Sequence, residues 1–285
     1  MILVTGANGQ LATLILQSLA ERGAAATGGT RTPDGEQRYV DFDAPDSLDF
    51  NGVTTLVLVS AGYAEDDRVI ARHRAAIDAA IRDGVGHVVY TSVTTSGDHL
   101  GFTLAHRATE RMLRSSGLSW TILRNGLYAE LFGAMLMWGP DGIESAFGSG
   151  ALAAPTRNDL AAVAAVVAMQ PSAHVGSTYE LVGDLITAND VAAALHATHH
   201  SITMEEYRQR LLSDARLLPF QPPMIASIAT AVRHDFLSAQ TSDLTRLLDR
   251  PAEDSLSAAA LAARATSAAV EHSQGGRLTE EPVVS

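Results

Sequence analysis

VTGANGQLA, residues 4–12, is the stretch on which the reading of this chain turns. It follows the apolar run Met1–Val4 and opens a helical pattern over about 10–22. Strand, glycine loop and helix in that order make a cradle for a pyrophosphate. Gly6 allows the tight turn, Gly9 lets the backbone come close to the anion, and a small Ala12 lets helix pack on strand. The helix N-terminus adds free N–H groups and a positive dipole end. Gly6, Asn8, Gly9, Gln10 and Leu11 are therefore the candidate phosphate-binding residues, and a bound dinucleotide is expected.

Outward from this loop, short apolar runs alternate with amphipathic stretches of helical length. Strands are expected at 1–5, weakly at 23–29, and at 54–60, 86–92 and 118–125, with helices at about 10–22, 66–83 and 103–116. That alternation predicts an α/β fold: right-handed βαβ units forming a Rossmann-type, doubly wound parallel sheet. Beyond Gly139 the regularity weakens. PDGIESAFGSG (140–150) reads as loop. TRNDLAAVAAVVAMQ (156–170) reads as a helix capped by Thr156 or Asn158, STYELVG (177–183) as a strand, and TANDVAAALHATHH (187–200) as a helix behind Thr187 or Asn189. From about Tyr207 the pattern is helical, broken at FQPPM (220–224). The expected organisation is a nucleotide-binding domain over 1–135, completed by segments around 156–183. A smaller, mostly helical substrate lobe over 136–272 and a disordered tail over 273–285 follow.

Composition removes several classes of function. The net charge is −12, with 32 acidic residues against 20 basic ones. No basic stripe is available for nucleic acid. Cysteine is absent, so disulfides, thiol catalysis and thiolate metal sites are excluded. All 20 basic residues are Arg, so no ammonium side chain can act anywhere in the chain. The N-terminus does not read as a signal peptide, and the longest Ala-rich stretch is too short to span a bilayer. A soluble cytoplasmic protein, with no membrane or nucleic-acid partner and with room for a homodimer, is the expectation.

The end of the second strand indicates the dinucleotide. An NAD site wants an acid there. GGTRTP instead offers Arg31, whose guanidinium matches a 2′-phosphate bidentately, so NADP(H) is the expected cofactor. YVDFD places Asp41 and Phe42 near the adenine. Ser60, Ala61 and Gly62, after the third main strand, line the dinucleotide, and Thr91, Ser92 and Asn125 end later strands at the same sheet edge.

These stretches, together with YTSVTTS, HRATERMLRSSGLSWTILRNGLYAE, APTRNDLAAVAAVV and TYELVG, resemble the NmrA-like branch of the atypical short-chain dehydrogenases/reductases. Within that branch they are most similar to the bacterial type-2 NAD(P)H:quinone oxidoreductases. The resemblance covers about 1–183 well and the rest loosely. It implies NADPH as hydride donor and a quinone or related conjugated carbonyl compound as acceptor. It also implies that the usual Tyr-x-x-x-Lys pair is missing: Phe102 falls in the Tyr slot and His106 in the Lys slot. His106, Ser92 and Tyr128 become the candidate catalytic residues, and His106 a cofactor-holding one as well. A ketone or enone reductase of specialised metabolism, or a non-catalytic NADP(H)-sensing regulator, stays open.

Other constellations carry less. Ser92, Asp98 and His106 have the residue types of a hydrolytic triad but lack a nucleophile elbow. His196, His199 and His200 read better as imidazoles at a helix C-terminus than as a metal site, so no metal is expected. Phe132, Met135, Met137 and Trp138 could wall an aromatic pocket or simply pack the smaller lobe.

Overall fold

A computed structural model describes residues 1–61, 64–241 and 243–275, the last nine of them as backbone only. Seven strands form one parallel sheet: β1 (Ile2–Thr5), β2 (Ala26–Thr30), β3 (Arg38–Tyr39), β4 (Thr55–Leu58), β5 (His87–Val93), β6 (Ser119–Asn125) and β10 (Ser177–Leu181). Their spatial order is β10-β6-β5-β4-β1-β2-β3, every pairing parallel. The order reverses between β1 and β4, which is where doubly wound sheets bind ligands.

Burial on both sides explains why these strands read as continuous apolar runs. One face packs Val4, Val57, Val89 and Leu123 under α1 (Gln10–Glu21) and α5 (Arg157–Met169). The other packs Leu3, Leu56, Val88, Tyr90 and Ile122 under α2 (Asp66–Arg82) and α3 (Thr103–Arg114). Helix α5 is buried almost all round, which is why its Ala/Val sequence shows little polar face. Its cap is Thr156, whose hydroxyl accepts from Asp159 N–H.

The smaller lobe has its own core, centred on Phe132, Phe147, Ile143 and Tyr207. It combines α4 (Ala129–Ala134), β7 (Met137–Gly139), β8 (Gly142–Ser145), β9 (Ala151–Ala154), β11 (Asp184–Thr187), α6 (Ala188–Ala194) and β12 (His199–Ser201). Helices α7 (Met204–Ser213), α8 (Gln221–Arg233) and α10 (Ser255–Gly275) complete it. A short α9 (Asp243–Leu247) lies between α8 and α10.

Four readings need correction. The stretch 140–150 is not all loop: β8 pairs antiparallel with β7 and parallel with β12. The helix expected to carry His199 and His200 ends at Ala194, behind a capping box of Thr187 and Asp190. His196 turns the chain at φ 56°, and the next two imidazoles lie on a strand. FQPPM starts α8 instead of breaking a helix, because a first-turn proline forfeits no intrahelical bond. Nor do residues 136–272 stay together: Leu244 and Leu248 return to the α1/α5 core. Arg22 pairs with Asp249 at 2.9 Å and Arg250 with buried Asp159 at 2.7 Å. The tail expected from 273 falls on α10 to Gly275, and its remainder lies outside the described residues. Among the described residues no helix is long and apolar enough to cross a membrane.

Candidate nucleotide and substrate site

The loop between β1 and α1 is built as a cradle. Gly6 sits at φ 67°, a left-handed conformation open to glycine at no steric cost. Gly9 donates its N–H to Gly6 O at 2.7 Å. A Cβ on Gly9 would lie 3.1 Å from that oxygen, tight against the loop's own backbone. The first turn of α1 has no side-chain cap and no acidic residue, which leaves its first N–H groups without a side-chain partner among the described residues. Gln10 is exposed, while Leu11 anchors the turn in the core. Asn8 donates to Thr32 Oγ1 at 3.1 Å and so ties the loop to the end of β2.

Arg31 follows β2 directly. It is exposed, and its guanidinium makes no hydrogen bond or ion pair among the described residues. Asp41 and Phe42 follow β3. Asp41 accepts from Asp43 N–H at 3.0 Å, and Phe42 rests half-buried on the α2/α3 core.

At the carboxyl edges of β4, β5 and β6 two buried oxygens lack a well-formed hydrogen bond: Ser60 Oγ and Asn125 Oδ1. Buried polar atoms are normally satisfied, so Asn125 Oδ1 marks where a ligand's donor fits, while Ser60 Oγ lies beside the Tyr90 hydroxyl. Thr91 accepts from Ser60 N–H at 3.1 Å and holds the two edges together. Ala61 donates its N–H to His73 Nε2 at 3.0 Å. Gly62 lies outside the described residues. An anion cradle, an unpaired cation and an unsatisfied oxygen along one sheet edge fit an NADP(H) molecule laid across it.

The candidate catalytic residues separate sharply. His106, on α3, is partly exposed and shares a hydrogen bond of 2.9 Å with the buried Tyr90 hydroxyl through Nδ1. Burial and the neighbouring Arg107 charge hold its pKa down at about 4, so it is neutral at pH 7. Phe102, at the start of α3, meets the His106 ring edge-on with centroids 6.4 Å apart.

Ser92 is withdrawn as a catalytic candidate. It is buried and its hydroxyl donates to Glu110 Oε1 at 2.7 Å. Glu110 is fully buried and receives Arg107 at 2.7 Å and Arg124 at 2.7 Å. Burial disfavours its charge, but the hydrogen bonds from Arg124 and Ser92 and the two guanidinium charges prevail, holding its pKa at about 2. Arg124 reaches on to Glu180 on β10 at 3.0 Å, and Arg107 to Asp98 at 2.6 Å. Ser92 and Asp98 share the Arg107 guanidinium while His106 pairs with Tyr90, so the three form no triad.

Tyr128 is also displaced. It caps α4, packs on the α1/α5 core, and lies under the Arg157 guanidinium at 4.7 Å. That is the face of the sheet opposite to Tyr90 and His106. Phe132 and Met135 are buried in the lobe core, Phe132 with its ring 4.9 Å from Phe147, and Trp138 donates to Ala263 O at 2.8 Å. They pack the lobe. His199 uses both ring nitrogens, on Ser145 and Asn189. Among the described residues no cluster of three His, Cys, Asp or Glu could hold a metal ion.

The sequence reading missed Tyr90 and His73 as members of this site. A tyrosine at an interior position of a buried strand was the available signal, because its hydroxyl must find a partner.

Comparison with known proteins agrees with this geometry. The family model described as NAD(P)H-binding matches residues 6–171. Quinone oxidoreductase 2 of Escherichia coli is 35% identical over 215 residues, 68% of this chain and 73% of that protein. An NmrA-like family domain-containing oxidoreductase of Aspergillus flavus is 30% identical over 170 residues, 56% of this chain and 55% of that protein. The crystal structure of a Citrobacter sp. triphenylmethane reductase complexed with NADP(H) superposes with a TM-score of 0.80 at 26% identity. That match covers 93% of this chain and 99% of the other.

Proposed function

The chain belongs to the NAD(P)H-binding family, in its NmrA-like branch of atypical short-chain dehydrogenases/reductases, and from that premise we propose that it reduces a quinone or related conjugated carbonyl compound with NADPH. That it is an NAD(P)H-dependent oxidoreductase follows from the family and the site; the acceptor is the step taken here.

In this reading Gly6, Asn8, Gly9, Gln10 and Leu11 seat the pyrophosphate, and Arg31 pairs with the 2′-phosphate. Asp41 and Phe42 border the adenine, and Ser60, Ala61 and Gly62 line the middle of the dinucleotide. Thr91, Asn125 and His106 hold the nicotinamide end. Bound NADPH supplies the hydride.

One observation carries the choice of acceptor: among the described residues, the candidate side chains for protonating a product oxygen are engaged or placed elsewhere. Ser92 is engaged by Glu110. Tyr90 is buried, and burial pushes its hydroxyl far above its usual range. Phe102 cannot donate, and Tyr128 sits on the opposite face. His106 is neutral with one nitrogen already engaged. An unactivated ketone becomes a strongly basic alkoxide on reduction and needs an acid or an oxyanion hole. A quinone becomes a delocalised, weakly basic anion that water protonates later. The residues therefore suit the quinone.

The test is NADPH oxidation with a panel of small quinones beside a panel of simple aliphatic ketones. Turnover with quinones and none with ketones is expected. Tight NADPH binding without quinone turnover, or efficient ketone reduction, would remove this reading.

A further inference from the structure

His73 sits fully buried on α2, beside the end of β4. Its Nε2 accepts from Ala61 N–H at 3.0 Å, so its ring proton is on Nδ1 and is donated to Thr109 Oγ1 at 2.8 Å. Thr109 gives its own proton to Ala105 O at 2.8 Å. Both ends of this chain are backbone groups, so every proton in it is fixed.

Tyr90 stands edge-on to His73, ring centroids 5.5 Å apart, with no exposed surface. Its hydroxyl lies 2.9 Å from Nδ1 of His106, beside the Ser60 and Thr109 hydroxyls. An imidazole nitrogen is a far better acceptor than a phenol oxygen, so Tyr90 donates and Nδ1 accepts. The ring proton of His106 then lies on Nε2. That nitrogen has no partner among the described residues and is not sealed from solvent.

We propose that Tyr90 is a positioning residue, whose hydroxyl locks His106 as the neutral Nε2–H tautomer and presents that N–H as a fixed donor to a ribose hydroxyl of NADP(H). This rests on the reading of His106 as a cofactor-holding residue. It gives a chain without lysine a substitute for an ammonium donor. A neutral imidazole can hold a hydroxyl only if the correct nitrogen carries the proton, and in water both tautomers are populated. Tyr90 removes that ambiguity from the inner side of the ring, while α3 sets the ring's position.

The experiment uses the full-length protein without a quinone. Tyr90→Phe keeps every carbon and removes only the hydroxyl, and an unchanged melting temperature would show that the fold survives. Two quantities are read. The first is the His106 tautomer, from nitrogen–proton correlation NMR of histidine-labelled protein, with the signal identified by its loss in His106→Gln. Wild type should show Nε2–H alone, and Tyr90→Phe a mixture. The second is the NADPH dissociation constant, expected to rise three- to tenfold in Tyr90→Phe. In a His106→Gln background the same substitution should add less than twofold, because Tyr90 acts through His106.

An Nδ1–H tautomer in wild type would overturn the proposal. So would equal weakening of NADPH by Tyr90→Phe in both backgrounds, which is what a merely structural tyrosine would give. The wild-type tautomer is read without any Tyr90 variant, so if Tyr90→Phe fails to fold, a mixed or Nδ1–H signal in the wild type still contradicts the proposal. These readouts need no turnover, so loss of the quinone reading would leave this inference standing, and the reverse holds equally.

Discussion

Among the described residues Arg31 has no partner of its own, and that is the residue-scale argument for NADPH over NADH. An arginine retained for folding would be paired or packed, as Arg22, Arg124 and Arg210 are. Arg31→Ala should cost NADPH roughly 1.5–3 kcal/mol of binding, the range for a charge-assisted hydrogen bond. NADH should be almost unaffected, and titration calorimetry with both nucleotides reads the difference directly. Equal weakening of the two would place the 2′-phosphate elsewhere. At this scale the sequence was only partly legible. The positions of Arg31, Gly9 and Asn125 in the fold could be foreseen because their spacing from strand ends fixes where they lie. Ser92 could not be judged, because the group that removes it from the chemistry, Glu110, is brought to it by the packing of α3 on β5 and β6.

In the proposed reading, the β1–loop–α1 unit is the element on which cofactor binding depends. Its conformation is set by Gly6 and by the short bond from Gly9 N–H to Gly6 O. Gly9→Val would push a branched side chain toward that oxygen and into the space where the pyrophosphate belongs. Nucleotide binding should fall below detection by fluorescence titration while far-UV circular dichroism stays that of the wild type. Retained micromolar NADPH affinity would reduce the loop to a structural turn. Elements of this kind were legible throughout the first 125 residues, because long amphipathic helices and buried apolar strands carry strong periodicity. The strands of the smaller lobe were not. Strands β7, β8, β9 and β12 span three or four residues each, too few for a period to show. They exist because distant segments pair: His199 is in register with Ile143, and Thr187 with Ala151. Proline in FQPPM was read as a stop when its position in the first turn of α8 makes it a start.

Across the whole molecule, three imidazoles held neutral by the fold make stability sensitive to acid. Burial, first, holds His73 at about 3 and His87 and His106 at about 4, against 6.5 in the unfolded chain. Between pH 6.5 and 4 the unfolded chain therefore binds protons that the folded one does not, and stability falls as pH falls through that window. Glu110 and Asp43 act lower down. Each is held at about 2 by arginine partners, so their stabilisation is complete above the ordinary carboxylate range and is lost as pH drops toward 2. The melting temperature of the nucleotide-free protein should decline steadily from pH 6.5 to 4 and more steeply below. A flat profile down to pH 4.5 would mean that the three imidazoles protonate freely in the native state. The parallel sheet could be foreseen from the order of elements. The return of residues 243–253 to the α1/α5 face could not, since it rests on long-range contacts: Leu244 and Leu248 in that core, and the pairs Arg22–Asp249 and Arg250–Asp159.

The central claim is that this site delivers hydride to an acceptor needing no protein acid, with His106 holding the cofactor. The most direct measurement is the rate of NADPH oxidation by His106→Ala with a small quinone, at NADPH concentrations raised until binding saturates. A higher KM for NADPH with quinone turnover still measurable is the predicted result. Elimination of turnover at saturating NADPH, together with efficient reduction of simple aliphatic ketones by the wild type, would contradict it and make His106 the proton donor.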